Sequence, residues 1–396
     1  MGDLATELEK RGHKVKILTA TPHYNVTESA LEGQPLKRRL AGLVYHSEFR
    51  GIPVLHVSIP PKEEKIGARV VDYLRFHLLS LIAGTLLLGR FDVVLAPSPP
   101  LSVGVLAWLL ALTRGAPAIY NVQEIYPDYA VHQGVMTNRR LVAAMQRLER
   151  FVYRVSRKIV VISPWFAKII EPRGIAAGKL EVIPNFVDTE LYRPLPRDNE
   201  FSRAHDLNRE FIVLYAGNIG LSQDLESVLC AAENLADVPV RFVLVGDGVR
   251  TKWLLREIEA RKLRNVSYLG YQSREKMPQI NASCDLAMIP MKAASTRDTF
   301  PSKIYTILAC GKAVLVSADQ NSELEWLIRE WHCGRVIPPD DGAAFATAVR
   351  RAYDERAALD AEGEAGRLQV LDRYSKEAVG AEYDRVISDV LRKSSV

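Results

Sequence analysis

The stretch Ile212-Val213-Leu214-Tyr215-Ala216-Gly217-Asn218-Ile219-Gly220-Leu221-Ser222-Gln223-Asp224 decides the fold. A β-branched apolar run, a glycine pair and a polar opening to a helical pattern make strand, tight turn and helix. The same unit recurs outward in both directions. Towards the C-terminus the pattern predicts strands at Arg241–Val245, Val266–Leu269, Leu286–Ile289, Ala313–Ser317 and Arg335–Ile337. Towards the N-terminus it predicts Val15–Leu18, Val54–Ser58, Val93–Ala96, Ala118–Asn121, Ile159–Ile162 and Leu180–Ile183. Apolar strands separated by helices imply parallel sheets covered on both faces. The expectation is an α/β protein of two doubly wound, Rossmann-like units: a front domain over residues 1–190, a Pro-rich linker over 191–210 and a back domain over 211–375. A closing helix over residues 376–396 completes it and is placed to pack back on the front domain. The chain opens in a helix, Gly2–Arg11, where a doubly wound domain normally has its first strand and glycine-rich turn.

Composition sets the class. Of 396 residues, 48% are hydrophobic and 25% charged, which excludes a disordered, collagen-like or disulfide-stapled chain. Cys230, Cys284, Cys310 and Cys333 lack metal-ligand spacing and read as free, mostly buried thiols of a reducing cytoplasm. The charged segment Met1–Lys10 does not read as a secretory signal. The apolar runs Leu78–Leu88 and Leu101–Leu112 are each about half of what a bilayer span needs and read as core helices. Residues 1–195 carry 25 Lys and Arg against 17 Asp and Glu, while the remainder is acidic. A basic front half suits a phosphate-bearing acceptor or an anionic membrane surface. Nucleic acid is not expected, because no basic stripe is interleaved with aromatics.

Ligands of doubly wound sheets bind beyond the carboxyl ends of the strands, in a cleft between the two units. Gly217 and Gly220 follow one strand, with phosphate contact weighed evenly against a plain turn in which Ser222 caps the helix. Gly246-Asp247-Gly248 follows the next and reads equally as turn or binding loop. In Asp298–Lys312, Pro301 opens a helix with Ser302 and Lys303 in its first turn. A lysine there opposes the helix dipole, which favours an anion in front of it over a solvated side chain. In the front half, Gln123, Glu124 and Asp128 follow the strand ending at Asn121, Ser98 lies among the prolines after Ala96, and His23 follows the first strand. His13, His77, His205 and His332 have no partners in sequence and read as surface or satisfied residues. The motifs of zinc proteases, serine hydrolases and P-loop enzymes are absent, and metal use is not indicated.

These stretches, in order and spacing, resemble retaining glycosyltransferases of family 4, whose fold is GT-B. The resemblance runs through Leu4–Thr19, Phe91–Pro100, Asn121–Asp128, Val182–Asp188, Ala216–Leu225, Val245–Gly248, Asn265–Gly270, Asp285–Pro290 and Pro301–Lys312. The Ala216–Gly220 and Pro301–Tyr305 versions look like the branch that builds bacterial surface polysaccharides from N-acetylhexosamine or fucosamine-type donors. The resemblance implies a cytoplasmic enzyme at the inner face of the membrane. It would move a sugar from a nucleotide diphosphate, UDP foremost, to a polyprenyl-linked or saccharide acceptor, with the nucleotide sugar as substrate and no cofactor. Gly217, Asn218, Gly220, Ser302 and Lys303 would hold the diphosphate, and Gly246, Tyr271, Tyr305 and Thr306 the nucleotide. Gln123, Glu124 and Asp298 would take the catalytic positions, with His23 and Asp128 on the acceptor side. The chain departs from the family where two glutamates flank the last loop, at Asp298 and Thr306, and where Asn218 and Gln223 replace an Arg and a Lys. These departures keep open a non-catalytic partner subunit; a nucleotide-sugar epimerase is the other rival. The Arg- and Lys-bearing segment Lys62–Arg90 is the expected membrane-docking element.

Overall fold

A computed structural model describes residues 1–22, 34–60, 66–132 and 134–392, with only the backbone at 66–70, 297 and 298. Two compact units form. The first gathers Met1–Tyr126, Ala143–Pro184 and the chain from Gly380 onward; the second gathers Pro127–Val142 and Asn185–Val379. The units differ from the expected contiguous spans. Pro127–Val142 joins the second unit, where helix Asp128–His132 packs on helix Ser295–Asp298. Residues 191–210 are no free linker either. Asn199 caps helix Glu200–Ala204 in a reciprocal capping box with Ser202, and Phe201 and Leu207 anchor the segment in the core.

In the first unit, β1 (Ile17–Ala20), β2 (Lys37–Arg39), β3 (Val44–Phe49) and β4 (Ile52–Val57) form a mixed sheet in the order β1-β4-β3-β2. A second, parallel sheet holds β5 (Val94–Pro97), β6 (Ala118–Val122), β7 (Lys158–Val161) and β8 (Leu180–Val182) in chain order. The single doubly wound sheet expected here is thus two sheets, and among the described residues β1 and β5 each keep one unpaired edge. β2 and β3 were not legible as strands. β3 and β4 pair antiparallel through the two-residue loop Arg50-Gly51, both at positive φ, as a hairpin that matches strand twist requires. The structure opens with helix Gly2–Lys10, which buries Leu4, Ala5 and Leu8. The closing helix Lys376–Arg392 lies against it: a Cβ at Gly380 would sit 2.3 Å from Glu7 Cγ. His13 pairs with Asp384 at 2.8 Å, so it is a partnered residue.

Helix Ile66–Leu87 corrects the reading of Leu78–Leu88 as core. It buries Ser80 and Ala83 against the first sheet, but Leu78 and Leu86 stay 60% and 71% exposed. Helix Ser102–Leu112 does bury Leu106, Ala107, Leu110 and Ala111. On its inward face helix Arg139–Val155 carries a buried carboxylate, Glu149, which receives a hydrogen bond from the Tyr153 hydroxyl (2.9 Å) and pairs with Arg173 Nη1 at 2.6 Å.

The second unit is a six-stranded parallel sheet of β9 (Phe211–Ala216), β10 (Val240–Val245), β11 (Val266–Tyr268), β12 (Leu286–Pro290), β13 (Val314–Ser317) and β14 (Gly334–Ile337). Its order is β11-β10-β9-β12-β13-β14. Alternate residues of β9 feed opposite faces: Ile212 and Leu214 join one core cluster, Phe211, Val213 and Tyr215 the other. The strand order reverses between β9 and β12, so the loops after these two strands diverge and leave a crevice at their carboxyl ends.

Candidate functional site

The switch point places the glycine turn after β9 beside the loops after β10 and β11. Backbone bonds tie them together: Gly217 N–H donates to Val245 O (2.9 Å), Ile219 N–H to Asp247 O (2.9 Å) and Gly246 N–H to Gly270 O (2.8 Å). Glycine is required at the contact. Gly246 has φ +139°, and a Cβ there would lie 1.8 Å from the Gly217 carbonyl oxygen. We expect Gly246→Ala to cost about 3 kcal/mol, because the clash meets backbone on both sides and adds φ strain. A melting curve together with nucleotide titration checks it, both being expected to fall.

Lys303 enters this cradle from the start of helix Lys303–Ala309. Its Nζ lies 4.1 Å from the Tyr215 ring centroid, and a Cβ at Gly217 would meet it at 2.5 Å. No carboxylate pairs with it among the described residues, and burial lowers its pKa from 10.5 to about 7. The Tyr215 hydroxyl donates to Asn218 O at 2.6 Å and fixes the turn. Asn218 and Ser302 are exposed beside this ammonium, and Gly220 is buried in the turn. A half-desolvated cation beside a glycine turn, whose Gly217 and Ile219 amides are spent on the neighbouring loop, can hold an anion in front of it.

The neighbouring positions divide. Asp224, not Ser222, caps helix Leu225–Asn234, accepting from Ser227 N–H (3.1 Å) while its other oxygen accepts from Asp340 N–H (2.8 Å). Gln223 is turned inward, its amide towards Ser222 Oγ and Met291 Sδ. Thr306 Oγ1 donates back to Lys303 O at 2.7 Å, a local bond that leaves it no grip like a carboxylate's. Tyr305, expected at the nucleotide, is instead core: it is 3% exposed and stacks between Phe300 and Tyr374. The helix register explains this, since Ile304, Tyr305 and Leu308 share the inward face. Tyr271 is exposed after β11. The side chain of Asp298 lies outside the described residues, but its loop is pinned: Asp319 accepts from Ala294 N–H (2.8 Å) and Thr296 Oγ1 (2.6 Å). Sequence reasoning missed Arg250, which follows the β10 loop, donates its N–H to Ile219 O and stacks 3.6 Å over Trp253; its Nη1 is buried and has no hydrogen-bond partner among the described residues.

In the first unit, the carboxyl ends of β5 and β6 bring Ser98, Asn121, Gln123 and Glu124 together. Gln123 N–H donates to Ser98 Oγ (2.9 Å), Gln123 Nε2 to Asn121 Oδ1 (3.0 Å), and Asn121 Nδ2 to the Tyr383 hydroxyl (2.7 Å). Glu124 is half-buried, and desolvation raises its carboxyl pKa. Such a group exchanges a proton nearer neutrality than a surface glutamate. Asp128 belongs to the second unit, and His23 lies outside the described residues. Among the described residues no cluster of three or more His, Cys, Asp or Glu is placed to hold a metal ion. Cys284, Cys310 and Cys333 are free thiols that burial pushes up to about 12.

Residues 1–185 match the family described as glycosyl transferase 4-like domain, and residues 197–369 match glycosyl transferases group 1. A putative colanic acid biosynthesis glycosyl transferase of Escherichia coli, WcaI, is 25% identical over 362 residues, 89% of this chain and 87% of its own. The probable glycosyltransferase WbjE of Pseudomonas aeruginosa is 24% identical over 315 residues, 78% of this chain and 77% of its own. In fold, Anabaena HepE in complex with UDP-glucose superposes with a TM-score of 0.74 at 16% identity, over 98% of this chain and 96% of the other. WaaG, a glycosyltransferase involved in lipopolysaccharide biosynthesis, gives 0.65 at 14% identity, over 97% and 94%.

Proposed function

This chain belongs to the glycosyltransferases, a GT-B member whose halves match a glycosyl transferase 4-like domain and a group 1 domain, and from that premise we propose that it transfers a sugar from UDP to a lipid-linked or saccharide acceptor, with retention of configuration, in surface polysaccharide biosynthesis. The acceptor, if carried on a polyprenyl diphosphate, sits at the inner face of the cytoplasmic membrane. The observation that supports the reading is the Lys303 ammonium, without a carboxylate partner among the described residues, beside the glycine turn Gly217–Gly220 at a switch point. The donor's diphosphate is the counter-ion such a site lacks.

The second unit binds the diphosphate: Lys303 and the turn amides stabilise the negative charge that grows on the departing β-phosphate. The acceptor hydroxyl oxygen bonds to the anomeric carbon as the bond from that carbon to the phosphate oxygen breaks. The hydroxyl proton passes to a phosphate oxygen, leaving UDP and the glycosylated acceptor. Glu124, with Gln123 held by Ser98 and Asn121, orients the sugar or the hydroxyl in this reading. We expect Glu124→Gln to lower kcat by about 10²-fold with UDP affinity unchanged. Steady-state rates beside a UDP titration check both halves of that statement.

Thr306 and Gln223, both engaged in local contacts, favour one second reading, a partner subunit that binds nucleotide and does not turn it over. Chromatographic detection of UDP release from a panel of UDP-sugars, with and without acceptor, separates the two. Acceptor-dependent release supports the transferase. Tight UDP binding without release supports the subunit, and absence of any nucleotide binding sinks both.

A further inference from the structure

Helix Ile66–Leu87 has two apolar faces. The inner one packs on the first sheet; the outer one presents Val71, Leu74, Leu78, Ile82 and Leu86, each between 44% and 71% exposed. Their spacing of three and four residues puts them in one stripe. Monomeric proteins rarely leave such a patch uncovered. Helix Ser102–Leu112 packs against this one, with Gly84 set close to Leu110, and adds the exposed Leu112. On its far side it meets helix Arg139–Val155 through Trp108 and Phe151, 5.1 Å apart edge to face.

That third helix supplies charge of one sign. Arg147, Arg150 and Arg154, with Arg157 just beyond its end, lie three and four residues apart and are all exposed. None of the four makes an ion pair among the described residues. The helix's one acid, Glu149, points inward to Arg173 and Tyr153. Residues 101–123 contain no acid at all. Where Leu112 meets the arginine row, a pocket of about 330 Å³ is lined by Trp108, Leu112, Arg154, Arg157 and Lys179. The Lys179 ammonium donates to Arg154 O at 2.6 Å.

We propose that this face of the first unit docks on an anionic phospholipid surface, the leucine stripe entering the headgroup boundary, the arginine row reading the lipid charge and the Trp108–Lys179 pocket taking a lipid phosphate. Among the described residues no helix is long and apolar enough to cross a membrane, so attachment is peripheral. The cations differ from the expected source. Within Lys62–Arg90, residues 61–65 lie outside the described residues, and the arginine row belongs to the neighbouring helix. The purpose of the surface, bringing the enzyme to a lipid-linked acceptor, rests on the proposed function; the surface itself does not.

Flotation of the full chain tests it, using phosphatidylcholine vesicles with about one-third phosphatidylglycerol against phosphatidylcholine alone, at low and high salt. The chain should float only with the anionic vesicles and be released by salt. The charge reversal Arg147→Glu/Arg150→Glu/Arg154→Glu should weaken partitioning by at least about 100-fold. Leu74→Ser/Leu78→Ser should weaken it by about 10-fold, with melting temperature and UDP affinity unchanged in both variants. Equal binding to neutral vesicles, indifference to both variants, or a dimer that the leucine variant dissolves would each overturn the proposal. Binding to nucleic acid in place of vesicles would do the same. UDP release with a soluble saccharide acceptor, measured in parallel, reports on the transferase reading alone.

Discussion

Lys303→Met is expected to abolish donor-dependent transfer, lowering kcat/KM for the nucleotide sugar by about 10³-fold, while the protein melts at the same temperature or slightly higher. On the proposed function the two readouts move apart, because there the ammonium serves binding and not folding. It has no carboxylate partner among the described residues, and its surroundings desolvate it enough to bring its pKa to about 7. Its loss therefore removes a cost to the fold and a contact to the donor. The pH dependence follows. In the free enzyme Lys303 gives up its proton as pH rises through about 7, so kcat/KM should fall above that point, and a bound diphosphate should raise the pKa again. Lys303→Arg, charged throughout, should flatten the fall wherever it still fits. The stability effect has the opposite sign. Between pH 7 and 10.5 the unfolded chain holds the proton and the folded chain does not, so the lysine's contribution improves as pH rises across that window. Its full cost is present below pH 7. Rates across a pH series with both variants decide the matter; a collapse in melting temperature for Lys303→Met would make the lysine structural.

Arg173→Met should destabilise the first unit by about 3–5 kcal/mol without touching donor binding. Glu149 is 1% exposed, and its Oε1 accepts from both the Tyr153 hydroxyl and the Arg173 guanidinium. Removing the guanidinium leaves a buried carboxylate that must take up a proton to stay inside. Glu149→Gln added to Arg173→Met should recover most of the loss, since the amide carries no charge and still accepts from Tyr153. Urea titration of the single and double variants measures the coupling. Equal destabilisation by both would show that packing and not charge sets the cost.

The second unit was legible in detail because its strands are buried on both faces. Val213, Leu244 and Val316 had to be apolar whichever way they pointed, and unbroken runs between helices carry that information locally. The glycine turn at Gly217 was legible because local geometry demands that residue type, and the lysine after Pro301 because it opposes the helix dipole at that position. β2 and β3 were not, since Lys37-Arg38-Arg39 is an exposed edge with no apolar pattern, and only the Arg50-Gly51 turn signalled the hairpin. Tyr305 was misplaced because a helix of seven residues shows which side is inward only once its neighbours are known.

By itself the sequence determined the doubly wound class, the two-part organisation and the glycine turn Gly217–Gly220 that follows its strand. Each depends on contacts within a few residues. Tertiary structure alone decided that Pro127–Val142 joins the second unit, that the first unit holds two sheets, and that the helices carrying Arg147–Arg154 and the exposed leucines of Ile66–Leu87 both pack on helix Ser102–Leu112. Those facts rest on pairings between segments tens of residues apart. Their free energy is shared by both partners, and neither partner's own pattern records it.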